Sequence, residues 1–314
     1  MSVYAWGSES RYYDYRTYVV KTFGERAQKI SVNAGFTCPN RDGTKGVGGC
    51  AFCNNSTFNP DYCNSETSVS EQIQTGLHFF SKYKANRFFA YFQAYSNTYG
   101  ETRHILSLYR EALAHEAISG IVIGTRPNCV SDDLLEAVAE IAQEYYVAVE
   151  LGAESCYDAT LESINRGHSW AECVETTNRI ARYAIPVGLH LIMGLPGETR
   201  EMQLAEAEVI SELPVTFLKL HQLQIVRGSA FAEQYRRDSG RFDLWSADDY
   251  VEFCVDFAER LSPEVVIERF ISQAPREMVV APAWDIKNFE FVHKVERRLL
   301  ERDTWQGRLY NSKQ

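Results

Sequence analysis

Three cysteines, Cys38, Cys50 and Cys53, are carried by one glycine-rich segment, with Gly43, Gly46, Gly48 and Gly49 between the first two. Eleven residues separate Cys38 from Cys50, and two separate Cys50 from Cys53. Thiolates are soft ligands that suit iron-sulfur clusters and zinc, and glycine permits the tight turns needed to wrap a metal group. Composition and spacing leave three readings open. A three-cysteine iron-sulfur cluster leaves one iron free to bind a substrate or cofactor directly. Structural zinc normally takes four protein ligands in a closed site, and the nearest fourth candidate, Cys63, lies ten positions after Cys53. In the third reading the cysteines are simply buried and bind nothing.

The other residues that could do chemistry are Gln93, Arg126, Glu150, His190 and Gln222, each within or near the end of an expected strand. Apolar alternation and aliphatic density predict strands over 29–35, 87–93, 121–124, 146–151, 187–193 and 217–225. Helical spacing predicts helices between them, over 68–83, 102–116, 131–143, 159–164, 171–183 and 200–212, with Ser131 and the following Asp132 and Asp133 as a good helix start. Strands alternating with such helices imply parallel βα units and right-handed crossovers. Polar residues gathered at strand ends favour a barrel over an open sheet. The expected fold is α/β, a partial (β/α)6 TIM-like barrel over residues 29–232. An aromatic lead-in over 1–28 packs on it, and an extension over 233–314 carries helices at 247–260 and 287–302 and one strand at 265–270.

The chain has 314 residues, 45% hydrophobic and 24% charged, as a globular protein requires. Its 42 acidic and 32 basic residues give a formal charge of −10, which gives no support to broad phosphate-backbone binding. Segments 26–29, 103–104 and 297–302 are the candidate basic patches. No run of 18 apolar residues is present and the start lacks a secretion-signal pattern, so a cytoplasmic protein without a membrane partner is expected. In that reducing compartment eight cysteines are better explained by metal binding or burial than by disulfides. Cys63, Cys129, Cys156, Cys173 and Cys254 show no second iron-sulfur spacing, so no second metal cluster is expected.

The cysteine loop resembles that of the radical S-adenosylmethionine superfamily. The usual first gap there is shorter; the long gap here is similar to one bacterial branch related to the catalytic radical domain of the Elongator acetyltransferase subunit. The likeness extends from about residue 4 to 300. It includes Phe92 to Tyr99, Gly124 to Pro127, Glu150 to Ser155, Ile164 to His168 and His190 to Thr199. The resemblance implies a [4Fe-4S] cluster on Cys38, Cys50 and Cys53. It also implies S-adenosylmethionine as cosubstrate, cleaved to a 5′-deoxyadenosyl radical with an electron from an external one-electron reductant.

It further implies that Phe52 lies near the adenine. Gln93, Ser96, Asn97 and Thr98 would position the methionine amino group, and Glu150 would meet the ribose hydroxyls or that amino group, unless it forms a salt bridge to Arg126 or Arg166. Arg166 would pair with the methionine carboxylate as a planar bidentate donor. Gly194 opens the turn to Thr199 that shapes the adenine pocket. His190 and His221 are candidate substrate contacts, His168 a contact or a helix cap, and Cys129 a spare thiol for chemistry. Lys219, residues 222–224, Arg269, Arg276 and Trp284 are candidates for a substrate rim where a tryptophan could stack on a nucleobase. The substrate implied is transfer RNA, at or near the C5 substituent of the wobble uridine; radical chemistry on a small metabolite or peptide, and a non-catalytic metal-binding protein, are the alternatives.

Overall fold

A computed structural model describes residues 3–57, 60–82 and 85–311. The expected segment ends at Met1, Tyr83 and Gln314 lie outside the described residues. In chain order the strands are β1 (Ala27–Val32), β2 (Arg87–Phe92), β3 (Ile118–Thr125), β4 (Tyr146–Glu154), β5 (Val187–Met193), β6 (Phe217–Gln222), β7 (Ile225–Val226), β8 (Val266–Arg269) and β9 (Val279–Ala281). The first six and β8 form one seven-stranded sheet in that order, every pair parallel. Strands β7 and β9 make a small antiparallel pair beside it. The six expected strands are all present, and the expected C-terminal strand is β8, the seventh member, which extends the sheet.

The helices are α1 (Tyr15–Phe23), α2 (Val69–Phe80), α3 (Thr102–Leu113), α4 (Asp132–Ile141), α5 (Asp158–Ser163), α6 (Trp170–Ala181), α7 (Arg200–Ser211), α8 (Ala230–Arg237), α9 (Ala247–Arg260) and α10 (Asn288–Glu301). Side-chain caps start most of them. Ser68 and Ser169 complete capping boxes with Glu71 and Glu172 at α2 and α6, and Ser131 accepts from the Leu134 amide at α4. Helix α1 lies inside the segment read as an aromatic lead-in. Asp14 caps it through the Thr17 amide, and Gly24, at φ 74°, ends it with a left-handed turn.

The period of two along each strand sorts side chains between the two faces. Val147, Val149 and Leu151 of β4, Leu189 and Leu191 of β5 and Leu218 and Leu220 of β6 are buried in the main core under the helices. The residues between them point inward. Phe89, Val122, Ala148, Phe217 and Val266 pack with Trp6 and Tyr13 of the lead-in. This aromatic layer covers one end of the strands.

One layer further along, the inward residues are Lys29, Tyr91, Glu150, His190, Lys219 and Glu268. Strands β1 and β8 are opposite edges of the sheet, yet Lys29 Nζ lies 2.7 Å from both Glu150 and Glu268. The sheet is therefore curled into an open half-barrel. Lys219 Nζ stands 2.6 Å from Glu150 and 3.1 Å from Glu268. The Tyr91 hydroxyl donates to Glu150 at 2.7 Å, and His190 Nε2 lies 2.9 Å from the same carboxylate. Burial alone would raise the Glu150 carboxyl, but Lys219 and Lys29 outweigh it and hold it well below the usual range.

Removing one member of such a cluster leaves a buried charge short of its partner. Lys219→Met is expected to cost about 3 kcal/mol in urea unfolding near neutral pH, and adding Glu150→Gln should recover part of that loss. Because the folded Glu150 value is depressed, its contribution is present above the ordinary carboxylate range and lost as pH falls through the folded value. A Lys219→Met cost below about 1 kcal/mol would show that the cluster does not hold the barrel together.

Candidate functional site

The C-terminal ends of the strands open into a cleft whose floor includes Tyr91, Glu150, His190 and Lys219. Cys38, Cys50 and Cys53 border it with Phe52, Gln93, Ser96, Arg126 and Arg166. The cysteine loop is pinned from several sides. The Ala51 amide donates to Ile164 O at 2.8 Å, and the Phe231 amide to Ala51 O at 2.8 Å. Asn40 Nδ2 donates to the carbonyls of Asn165 at 2.6 Å and Arg166 at 2.9 Å. Gly167, at φ +69°, makes that approach possible, because a Cβ there would strike Asn40 Oδ1.

Two guanidiniums stand over the sulfurs. Arg126 Nη1 is 3.6 Å from Cys50 Sγ and 3.9 Å from Cys38 Sγ, and Arg166 Nη1 is 3.5 Å from Cys50 Sγ. Arg41 donates to the Cys53 carbonyl at 3.1 Å. Burial pushes the free Cys53 thiol up to about 11, with the neighbouring Cys50 adding to it and Arg41 opposing. Among the described residues, no group of three or more His, Cys, Asp or Glu side chains is placed to hold a metal ion. A cluster makes a different demand, since each thiolate binds its own iron and the three need only border one space. The three cysteines border one space, with guanidiniums beside them that would offset the charge of thiolates. Cys63 is not part of it: its thiol donates to Ser31 O at 3.1 Å, so it offers no fourth ligand.

Glu150 lies at the floor with both oxygens taken. Neither Arg126 nor Arg166 is its partner, contrary to the expected alternative; Lys29, Lys219, His190 and Tyr91 are. Arg166 instead lies 3.3 Å from Glu154 and donates to Gly152 O. Gly152 leaves room for this pair, because a Cβ there would fall 2.5 Å from both Arg166 Nη2 and Glu154 Oε1. Glu154 holds φ 71° beside a register shift between β4 and β5, and this bulge turns its side chain into the cleft. In the sequence Glu154 stands only within the motif from Glu150 to Ser155. The strand alternation could have placed Lys29 and Tyr91 inside, but nothing in it shows that β8 closes over them.

The remaining expected residues divide by their contacts. Ser96 is buried in the cleft wall with an unpartnered Oγ, and Gln93 lies 3.4 Å from Ser31 Oγ. Asn97 and Thr98 stand behind the wall. Asn97 Nδ2 donates to Phe92 O and Gly124 O, and Thr98 Oγ1 is 2.6 Å from Thr125 Oγ1, so they tie β2 to β3. Gly194, at φ 91°, donates its amide to Gln203 Oε1 and does not itself border the cleft.

His168 is no helix cap, since Ser169 starts α6. Its two ring nitrogens are buried and unpartnered, and burial with Arg166 and Arg126 drives its pKa down to about 2. Cys129 points to Asn128 Oδ1. Trp284 is not a nucleobase platform: it stacks on Phe291 at 5.8 Å and donates to Trp245 O at 2.9 Å, and Arg276 pairs with Asp285 away from the cleft. The expected basic patch at 297–302 is spent in ion pairs, with Arg298 and Arg302 held by Glu252, Asp256 and Glu259, and Lys29 of the 26–29 patch is buried at the floor.

Beneath the turn after β5 lie two buried carboxyls. Glu198 is bonded to Ser155 Oγ, and Glu206 accepts from the Cys156 amide at 2.7 Å, so both tie α7 and its turn to the end of β4. The second oxygen of each has no partner. Burial, helped by Glu198, raises the Glu206 carboxyl to about 8.

Residues 35–207 match the Radical SAM superfamily and residues 215–301 the Radical SAM C-terminal domain. The chain is 32% identical to uncharacterized protein YtqA of Bacillus subtilis, over 96% of this chain and 94% of that one. It is 36% identical to protein YhcC of Escherichia coli, over 90% of each. A tRNA uridine(34) acetyltransferase of Dehalococcoides mccartyi is 25% identical over 54% of this chain, which spans only 37% of that protein. Among solved structures, Elp3 of Methanocaldococcus infernus superposes with a TM-score of 0.68 at 16% identity, covering 89% of this chain and 64% of that one, a likeness of fold. No helix among the described residues is long and apolar enough to cross a membrane.

The Glu206 carboxyl generates a pH prediction. Between the ordinary value of 4.5 and about 8, folded Glu206 keeps a proton that the unfolded chain has released, so stability falls as pH rises through that window. Glu206→Gln retains an acceptor for the Cys156 amide and should flatten the decline, with a gain of at least about 1 kcal/mol at the alkaline end. Urea unfolding of both proteins across the window checks this; parallel profiles would show that Glu206 ionises normally.

Proposed function

Since this chain belongs to the radical SAM superfamily, we propose that Cys38, Cys50 and Cys53 hold a [4Fe-4S] cluster and that the enzyme acts on the C5 side chain of a wobble uridine in transfer RNA. When bound, the cluster supplies one electron, drawn from an external reductant, to cleave S-adenosylmethionine into methionine and a 5′-deoxyadenosyl radical. The observation that carries the cofactor reading is the pair of guanidiniums, Arg126 and Arg166, set over the cysteine sulfurs at the end of an open cleft.

Each protein group then has a defined task. Arg126, Arg166 and Arg41 offset the negative charge of the thiolates. Ser96, with its unpartnered hydroxyl, and Gln93 offer hydrogen bonds to the methionine amino group. Phe52, between the last two cysteines, offers its ring to the adenine. Glu154 is the carboxylate presented to the cosubstrate, because Glu150 is fully engaged at the floor. His190 borders the cleft while bonded to Glu150 and faces the substrate from below. Gly194 and its turn, with Asn97 and Thr98, support the wall.

The RNA reading is supported by the relative named as a tRNA uridine(34) acetyltransferase. Acetyl transfer is not carried over, because the matched region is a minor part of that protein; alteration of an installed C5 side chain is the reaction proposed. Radical chemistry on a small metabolite or peptide is the second reading, favoured by the ion pairs that occupy the C-terminal arginines.

Anaerobic protein with dithionite and S-adenosylmethionine is expected to form 5′-deoxyadenosine, and Cys50→Ala should lower it at least about a hundredfold, toward the uncatalysed level. Cys254→Ala, in the core of α9, should keep a folded, active enzyme. Retained cleavage in Cys50→Ala would sink the ligand set. Mass spectrometry of transfer RNA nucleosides from cells lacking the gene should show a missing modified uridine and its accumulated precursor, restored by the intact chain but not by Cys50→Ala. An unchanged profile moves the substrate to the metabolite or peptide class.

A further inference from the structure

Positive charge in the cleft is divided between its two ends. Arg41, Arg126 and Arg166 serve the cysteine end, where Cys53 or Cys50 is a neighbour of each. At the floor Lys219 is matched by Glu150 and Glu268. Arg269, at the end of β8 and in register with Lys219, also borders the cleft. Among the described residues its guanidinium makes no hydrogen bond and no ion pair, and its charge acts on Lys219, Tyr91 and His221. The nearby carboxylates are already used by the two lysines. Beside it, His221 stacks on His190 at 5.4 Å and keeps a buried, unpartnered Nε2.

We propose that Arg269 and His221 form an oxyanion subsite that receives a carboxylate or terminal phosphate of the substrate. A guanidinium in a partly desolvated cleft without a counter-ion is costly, and its planar fork matches a carboxylate or phosphate through two parallel hydrogen bonds. The neutral imidazole supplies a further donor without adding charge, since burial keeps His221 deprotonated near neutral pH. Depth selects a terminal group. The subsite stands level with the floor, where an internal phosphodiester would have to bring both flanking nucleotides. The inference rests on the cleft being the substrate site, and it holds for a nucleoside side chain or a metabolite alike.

The test is a thermal-melt titration of the intact, cluster-loaded protein with sodium acetate and with inorganic phosphate, at constant ionic strength maintained with chloride. Ligand that binds only the folded state raises the melting temperature in a saturable way. The wild type is expected to respond to at least one anion, with apparent affinity at least fivefold weaker in Arg269→Met and in His221→Phe; either variant decides the matter if the other fails to fold. The exposed Arg236→Gln should respond as wild type. Response to acetate alone assigns a carboxylate, to phosphate alone a terminal phosphate, and to both a subsite that reads only the oxyanion. No saturable wild-type response, or equal responses in wild type and both variants, overturns the subsite. Failure of the wild type to form 5′-deoxyadenosine would instead sink the enzymatic reading and leave this titration to stand or fall separately.

Discussion

Glu150, 1% exposed in the middle of the sheet, is the group on which the rest of the architecture turns. A carboxylate taken out of water must be fully compensated or it costs several kcal/mol. Here compensation comes from Lys29 on β1, Tyr91 on β2, His190 on β5 and Lys219 on β6, while Glu268 on β8 balances the second lysine. Satisfying one carboxylate from so many strands requires the sheet to curl, since a flat sheet would leave its two edges too far apart to share Lys29. The same cluster divides the interior. Below it, aromatic residues of the lead-in seal the strand ends; above it, the cleft begins.

Legibility in the sequence follows from how local each signal is. The βα alternation and most element positions could be read because hydrophobic periodicity and helix caps act over a few residues. The segment around Lys29 reads as a basic patch for the opposite reason: its partners are 121 and 239 positions away, and only the curl brings them together. Helix α1 escapes a reading based on composition because tyrosines and β-branched residues give it little propensity, and Asp14 and Gly24 set its ends. Trp284 shows a similar limit. Beside Arg276 it resembles a stacking platform, but tertiary packing spends it on Phe291 and Trp245.

At the site, the three cysteines were legible as a group because one loop carries them, and the structure sets all three at the border of the cleft. Glu154 was not, because its position depends on a bulge and a left-handed backbone that a side chain rarely adopts. Its pairing with Arg166 depends in turn on Gly152, whose missing Cβ opens the path between the two groups. A motif read as Glu150 acting near Arg166 thus divides between two layers. Glu150 holds the floor, and Glu154, four residues on, takes the arginine at the wall. The bulge, not the strand period, brings Glu154 to the cleft wall above Glu150.

Charge on this chain is arranged for short-range recognition. A net charge of −10 repels an anionic partner at long range, although salt screens that repulsion beyond about 10 Å. The C-terminal arginines give no attractive face, since acidic neighbours on α9 hold Arg298 and Arg302. Inside the cleft, guanidiniums stand over the sulfurs at one end and Arg269 borders the other. Charges at that depth are screened less by salt than those on the surface, so their effect on a group inside the cleft outlasts the long-range repulsion of the net charge.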